Sequence, residues 1–331
     1  MTAPHILTEI WRGPVLESIH TGHVVISDHA GQIVESWGNP DHITYPRSSC
    51  KMIQALPLVE SGAADAFGLT TEHLALSCAS HQGAFIHTDR VGKWLSNLGL
   101  RESDLRCGPQ EPADIPARNA LVKTDDSPCQ FHNNCSGKHS GFLTWNKHMG
   151  HGADYHDPSH PLQVTIKDAF EDTTGETSPG YGIDGCSAPN YATSVAGLAR
   201  AMGFFAGASE SGSAREKAAV RLREAMALHP ELVAGETRAC TELMRAMDGK
   251  VSIKTGADGV FVAIIPEKKL GVALKISDGA TRASECTIAA ILVRLGVLDP
   301  EHPAAKKRLN TPILNWNGVN CGTINAAKSF I

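Results

Sequence analysis

The chain has 331 residues, of which 20% are charged and 42% hydrophobic, and its net charge is −5. That is the composition of a globular protein long enough to bury a core, and it excludes a disordered chain or a basic nucleic-acid-binding surface. No apolar run approaches a membrane span, the opening MTAPHILTEIWRG lacks the marks of a signal peptide, and nine cysteines outside any disulfide-like spacing favour a reducing cytoplasm.

The first elements read as strands, since HVVISDHAGQIVESW alternates apolar residues around a turn at Asp28 to Gly31. From about Ser48 to Gly249 the chain reads as mainly helical. After TYPRS an apolar run (Met52, Ile53, Ala55, Leu56, Leu58, Val59) takes on helical spacing. Further helices are expected in AFIHTDRVGKWLSNLG, PLQVTIKDAFEDT, NYATSVAGLARAMGFFA, SAREKAAVRLREAMALH and ETRACTELMRAMDG, with Pro189 and Gly249 as punctuation. The chain then returns to strands in VSIKTG, GVFVAIIP and GVALKIS, the last two joined by the turn EKK. A helix, ATRASECTIAAILVRLGVL, and a short tail around TPILNWNGVNCG complete it. There is no internal repeat. The simplest assembly is a single two-lobed α+β domain: an antiparallel sheet flanked by helices, built from about 1–47 and 250–331, with a mainly helical lobe of about 48–249 inserted. Ligand sites favour a junction of that kind.

Two short motifs carry chemistry. Ser48 and Lys51 are three apart where the helical spacing begins, so hydroxyl and amine share one face. Alone, that pattern is weak, because a serine N-cap beside a solvated lysine looks the same. Downstream, IKTG sets Lys254, Thr255 and Gly256 at the end of an apolar strand. Ser-x-x-Lys followed by Lys-Thr-Gly on a strand is the signature of penicillin-recognising serine enzymes. A serine hydroxyl needs a base to become a nucleophile, and lysine is that base only as the neutral amine. Ser80, in the turn SCASHQG, is a candidate proton relay, with a side chain expected to be exposed. Ser80-His81-Gln82 departs from the Ser-x-Asn of those enzymes, which argues against a β-lactamase.

Nearly the whole chain resembles the Rhizobium-type (class 3) L-asparaginases of the asparaginase II family. The likeness rests on YPRSSCKMIQALPLVESGAAD, LSCASHQG, HNNCSGKHSGFL, GIDGCSAPNY, IKTGADGVFVAIIP and KISDGATRASE. It implies a fold similar to serine β-lactamases and glutaminases, a homodimer, and hydrolysis of L-asparagine to L-aspartate and ammonia. It also implies Ser48 as nucleophile with Lys51, a second pair of Ser80 with Lys254, and one Zn²⁺ per chain on Cys135, Lys138 and Cys186. That ion is expected to position substrate rather than to generate hydroxide. By spacing alone the metal set is weak, since there is no Cys-x-x-Cys pair and lysine is an unusual ligand.

For substrate binding, Arg47 can clasp a carboxylate with two hydrogen bonds, or be a surface arginine. His139 and Asp184, expected in polar loops, can hold the charged groups of an amino acid, and Thr255 and Gly256 can face an oxyanion. Cys50, Cys78, Cys107, Cys129, Cys286 and Cys321 are expected to fill space, and Cys240 to lie on a helix surface open to oxidation. The rival readings are a glutaminase or β-lactamase-like hydrolase on the same scaffold, and an amino-acid-binding protein without catalysis. No nucleic-acid or membrane partner is expected.

Overall fold

The structure is a computed structural model that describes residues 3–330. The chain divides into two compact units: a sheet unit of residues 1–49, 193–207 and 242–331, and a helical unit of 50–192 and 208–241.

The sheet unit holds eight strands: β1 (His5–Arg12), β2 (Val15–Asp28), β3 (Ile33–Trp37), β4 (Ser252–Thr255), β5 (Val260–Ile265), β6 (Leu270–Ile276), β7 (Thr311–Leu314) and β8 (Asn320–Ala326). They pair antiparallel in the order β7-β8-β1-β2-β6-β5-β4, and β3 pairs with β2. The two ends of the chain thus meet in one sheet, as expected, through the β2–β6 ladder that sets Val24 opposite Leu274. All six residues of β5 (VFVAII) are buried, so both faces of the sheet centre are covered, which explains its continuous rather than alternating apolar run. The helices Val195–Gly207 and Thr281–Arg294 pack on these strands. The first of them comes very close. A Cβ on Gly271 would stand 2.0 Å from the backbone nitrogen of Gly203.

Three details differ from the sequence reading. The helix expected from Asn190 begins at Val195, because Pro189–Tyr191 and Thr193–Ser194 are strands, and it groups with the sheet rather than with the helical middle. The tail around TPILNWNGVNCG is the β7–β8 hairpin, and β1 was not foreseen at all. The long helix implied after Ser48 is broken into Lys51–Gln54, Leu56–Glu60 and Ala63–Ala66, with Pro57 opening the second and left-handed Gly62 ending it.

In the helical unit, Phe85–Asn97, Pro161–Thr174 and Ala214–Leu228 fall where the periodicity puts them. The last starts with a capping box in which Ser213 and Glu216 each bond the other's backbone N–H. The helix Ser136–Met149 is different. Its first eleven residues, polar and apolar alike, are all buried, so it is a central helix without a solvent face. Its Gly137 permits a close crossing, since a Cβ there would lie 2.3 Å from the Leu76 carbonyl oxygen.

Candidate active site

In the sheet unit, Ile43–Thr44 pairs with Thr193–Ser194 and leads into a tight turn at Pro46. Ser49 is buried and holds this turn, its hydroxyl donating to the Pro46 carbonyl at 2.7 Å. Ser48 is half-buried, and its hydroxyl takes no protein partner among the described residues. Of the two adjacent serines, Ser48 is therefore the one free to react. Arg47 adopts φ +54°, a left-handed conformation that costs a non-glycine residue about 1–3 kcal/mol, and its guanidinium pairs with the Asp258 carboxylate.

The Lys-Thr-Gly strand end lies against the same turn. A Cβ on Gly256 would stand 2.6 Å from Pro46 O and 3.3 Å from Ser49 N. Only glycine lets β4 end so near the Ser48 turn. The Gly256 N–H is not available to an oxyanion, because it donates to Val260 O at 2.7 Å. Its contribution is room. Lys254 is fully buried with Nζ donating to Thr255 O at 2.7 Å, and the half-buried Thr255 donates its hydroxyl to Gly256 O at 3.2 Å.

The turn Arg47–Cys50 runs straight into the helix Lys51–Gln54, so Ser48 and Lys51 keep the one-turn spacing read from the sequence. In the helical unit Lys51 is 1% exposed, and its Nζ has three partners: Ala79 O, Ser80 Oγ at 3.0 Å and Asn134 O at 3.4 Å. Three acceptors match the three N–H bonds of an ammonium. When the amine is neutral, a lone pair replaces one N–H. The carbonyls cannot donate to that lone pair, but the Ser80 hydroxyl can. Ser80 is buried, at 7% exposure, contrary to the exposed side chain expected. Burial is what keeps water from substituting for it.

A second polar cluster lies deeper in the helical unit. Cys135 caps the helix Ser136–Met149, Lys138 sits one turn on, and Cys186 comes from the loop between Tyr181–Ile183 and Pro189–Tyr191. All three are buried, and Lys138 Nζ donates to Cys186 Sγ at 3.1 Å. A hydrogen bond from Cys135, followed by the Lys138 charge, holds the Cys186 thiol well below its ordinary range. Cys135 is pushed up in return, and Lys138 is raised by the two sulfurs even though burial works against its charge. Among the described residues no three His, Cys, Asp or Glu side chains gather to hold a metal. The expected set is instead two sulfurs and an amine meeting in one buried place, and this donor set suits a soft-accepting ion such as Zn²⁺. Lys138 is a proton donor in this arrangement, so its amine would have to lose a proton to join the two sulfurs as a ligand.

Other expectations move. His139 lies in the helix Ser136–Met149 and not in a loop, fully buried. Its Nδ1 lies 2.8 Å from the Tyr155 hydroxyl, which also accepts from the Arg106 N–H at 2.8 Å. Burial pushes this imidazole down to about 4. Asp184 is half-buried in the loop that carries Cys186, its carboxylate accepting from Gly185 N–H. Cys240 is 1% exposed, so it does not lie open to oxidation, whereas Cys129 and Cys321, taken as filler, are only half-buried. Sequence reasoning passed over His81, Ser136 and Tyr155. For Ser136 the available signal was its place in the polar motif HNNCSGKHSGFL.

The L-asparaginase II family pattern matches residues 8–326. The chain belongs to the L-asparaginase II family. As an L-asparaginase II family member it is an asparaginase-type amidohydrolase. No curated relative matches it. Among solved structures, a β-lactamase from Mycobacterium bovis is similar at 11% identity and TM-score 0.45, over 82% of this chain and 94% of that one. A penicillin-binding protein homologue from Pyrococcus abyssi follows at 13% identity and TM-score 0.38, over 90% and 80%. A Bacillus glutaminase stands at 11% and 0.40, over 84% and 91%. Likenesses this faint carry no argument about activity. Among the described residues no helix is long and apolar enough to cross a membrane.

Proposed function

We propose that this amidohydrolase converts L-asparagine to L-aspartate and ammonia through an acyl-enzyme on Ser48. The observation that supports the reading best is the 3.0 Å contact of Lys51 Nζ with Ser80 Oγ, one helical turn after a serine with an uncommitted hydroxyl. Neutral Lys51 takes the Ser48 proton as Oγ attacks the side-chain amide carbon, and the C–O bond forms as the carbonyl becomes an oxyanion. The Thr255 hydroxyl, which donates to Gly256 O at 3.2 Å, is the proposed donor to that charge once it turns from the carbonyl. The proton then passes through Ser80 to the amide nitrogen, the C–N bond breaks and ammonia leaves. Water, deprotonated by the same amine, attacks the ester and releases aspartate, returning the hydrogen to Ser48. Lys254, fully buried on the strand end beside the Ser48 turn, is the proposed second amine, the one the family resemblance gives to Ser80.

Arg47, His139 and Asp184 are the proposed holders of the amino-acid part of the substrate. Arg47 is paired with Asp258, and its planar guanidinium is the type of group that clasps a carboxylate with two hydrogen bonds. Cys135, Lys138 and Cys186 are the residues that would hold zinc, which when bound would supply a positive anchor for substrate. We also place the protein in the cytoplasm as a homodimer, on the strength of the family and of cysteines that follow no disulfide-like spacing.

Ammonia release from asparagine, glutamine and a chromogenic β-lactam, measured for wild type and Ser48→Ala, tests the reading. Asparagine turnover lost in the variant supports it. A preference for glutamine moves the substrate, and binding of asparagine without ammonia sinks the enzyme reading for this substrate.

A further inference from the structure

Next to Ser80 stands a side chain to which the chemistry above gives no part. His81 is 1% exposed, and its ring lies between two fixed partners. The Gly83 N–H donates to Nδ1 at 3.2 Å, and Nε2 lies 2.9 Å from Ser136 Oγ. The Ser136 hydroxyl spends its own hydrogen on Phe131 O at 3.0 Å, so toward His81 it can only accept. One protonation state satisfies both contacts: the neutral ring with its hydrogen on Nε2. A charged ring would set a second N–H against that of Gly83. The ring also stacks on His87, centroids 4.7 Å apart and planes 8° apart, and burial holds both imidazoles below their ordinary range.

These contacts converge on the two partners of Lys51. The His81 N–H donates to Asn134 O at 3.3 Å, the same oxygen that accepts from Lys51 Nζ. Ser136, which anchors the ring, is two residues further along that segment. On the other side, Ser80 N–H donates to Val233 O at 2.8 Å, while His87 Nε2 bonds Glu231 O at 2.9 Å in the same short helix, Pro230–Val233. Ser80 is thereby tied to two segments, and His81 takes part in both ties: through its own side chain to Ser136, and through the stacked His87 to Glu231.

We propose that neutral His81 is a positioning residue for the Lys51–Ser80 relay: by bridging Gly83 and Ser136 it fixes both Ser80 Oγ and Asn134 O around Lys51 Nζ. This rests on the proposed role of Ser80. His81 touches no reacting atom, so its loss should lower kcat while leaving KM for asparagine within about twofold. A displacement of about 1 Å at a relay costs on the order of a hundredfold.

The test uses the full chain with His81→Asn, His81→Gln, Ser136→Ala and Ser80→Ala, each measured for kcat, KM and thermal midpoint. The Gln nitrogen reaches as far as Nε2 and can still donate to Ser136, whereas the Asn amide is too short. His81→Asn and Ser136→Ala should each lose about ten- to a hundredfold in kcat, and His81→Gln should keep most of it. In the Ser80→Ala background His81→Asn should remove nothing further, since the two act as one unit. Wild-type kcat in His81→Asn and Ser136→Ala, beside an inactive Ser80→Ala, overturns the proposal. So does an equal loss with and without Ser80. If His81→Asn does not fold, Ser136→Ala decides by itself. Full activity of Ser80→Ala alone overturns the relay first, and this inference with it.

Discussion

The two units place their polar groups differently. In the sheet unit the strand centre is apolar: β5 and the middle of β6 are continuous runs of Val, Ile, Leu, Phe and Ala, and the proposed reactive residues stand at the sheet's margin, in the turn of Ser48 and at the end of β4. In the helical unit a cluster of polar side chains is buried among the apolar ones. Lys51, Ser80, His81, Ser136, Lys138 and His139 are all buried there. Each of those groups costs free energy to desolvate and is tolerated because it has partners. A half-buried hydroxyl at that margin can therefore go while the fold stays, whereas in the helical unit the proposed relay and the stability run through the same hydrogen bonds.

Substitution at the margin gives the sharpest separation. Ser48→Ala should abolish ammonia release and leave the circular dichroism and thermal midpoint of wild type, since a half-buried hydroxyl with no protein partner is removed. Activity within about tenfold of wild type, ~1.4 kcal/mol of barrier, would refute the assignment. Lys51→Ala and Lys254→Ala should each be severe, and the double variant should cost far less than the sum. Lys51→Ala should also lower the thermal midpoint, because it takes the Lys51 donor from the buried Ala79 carbonyl and from Ser80. Additive kinetic losses would separate the two lysines into independent tasks.

Gly271→Ala tests the apolar side of the comparison. A methyl 2.0 Å from the Gly203 nitrogen forces the helix Val195–Gly207 off the sheet, and about 1–3 kcal/mol of stability should go, read by urea denaturation. An unchanged midpoint would show that the helix has room to move. Metal analysis of the wild type should find about one zinc per chain, and Cys135→Ala and Cys186→Ala should lose it and raise KM more than they lower kcat. Full zinc in both variants would put the ion elsewhere.

The smallest effect is in pH. His23, 4% exposed in the sheet unit, accepts from the Asn39 N–H through Nδ1, and burial, with His42 stacked on it and Lys275 nearby, lowers its pKa from 6.5 to about 4. The folded state thus disfavours protonation, and the unfolded state binds the extra proton. The stability from neutral His23 is complete above about pH 6.5 and drains away as the pH falls toward about 4. His23→Gln should flatten that acid limb by at most one proton's worth of slope. An unchanged limb would move the titration to other groups.

Where a structural signal lies within one or two turns of chain, the residues reveal it. Ser213 and Glu216 mark a helix start, Gly150 and Gly175 in left-handed conformation end two helices, and the Ser48–Lys51 spacing is written in the chain itself. Pairing across distance is different. β1 is legible only beside β8, whose residues come some three hundred positions later, as in Thr8 opposite Ala326. Pro189–Tyr191 looks like the start of a helix until Tyr181–Ile183 claims it.

The same division runs through the site. Sequence alone offered the candidate reactive types, a serine, two lysines and a Thr-Gly strand end, because their motifs are short and local. It could not say that Ser80 is buried, that His139 lies inside a helix, or that Cys240 is closed to solvent. Tertiary structure decided that Lys51 meets Ser80 from 29 residues away and Asn134 from 83. The physical reason is that burial and hydrogen-bond choice depend on which distant segments exclude water from a side chain. No local pattern carries that information.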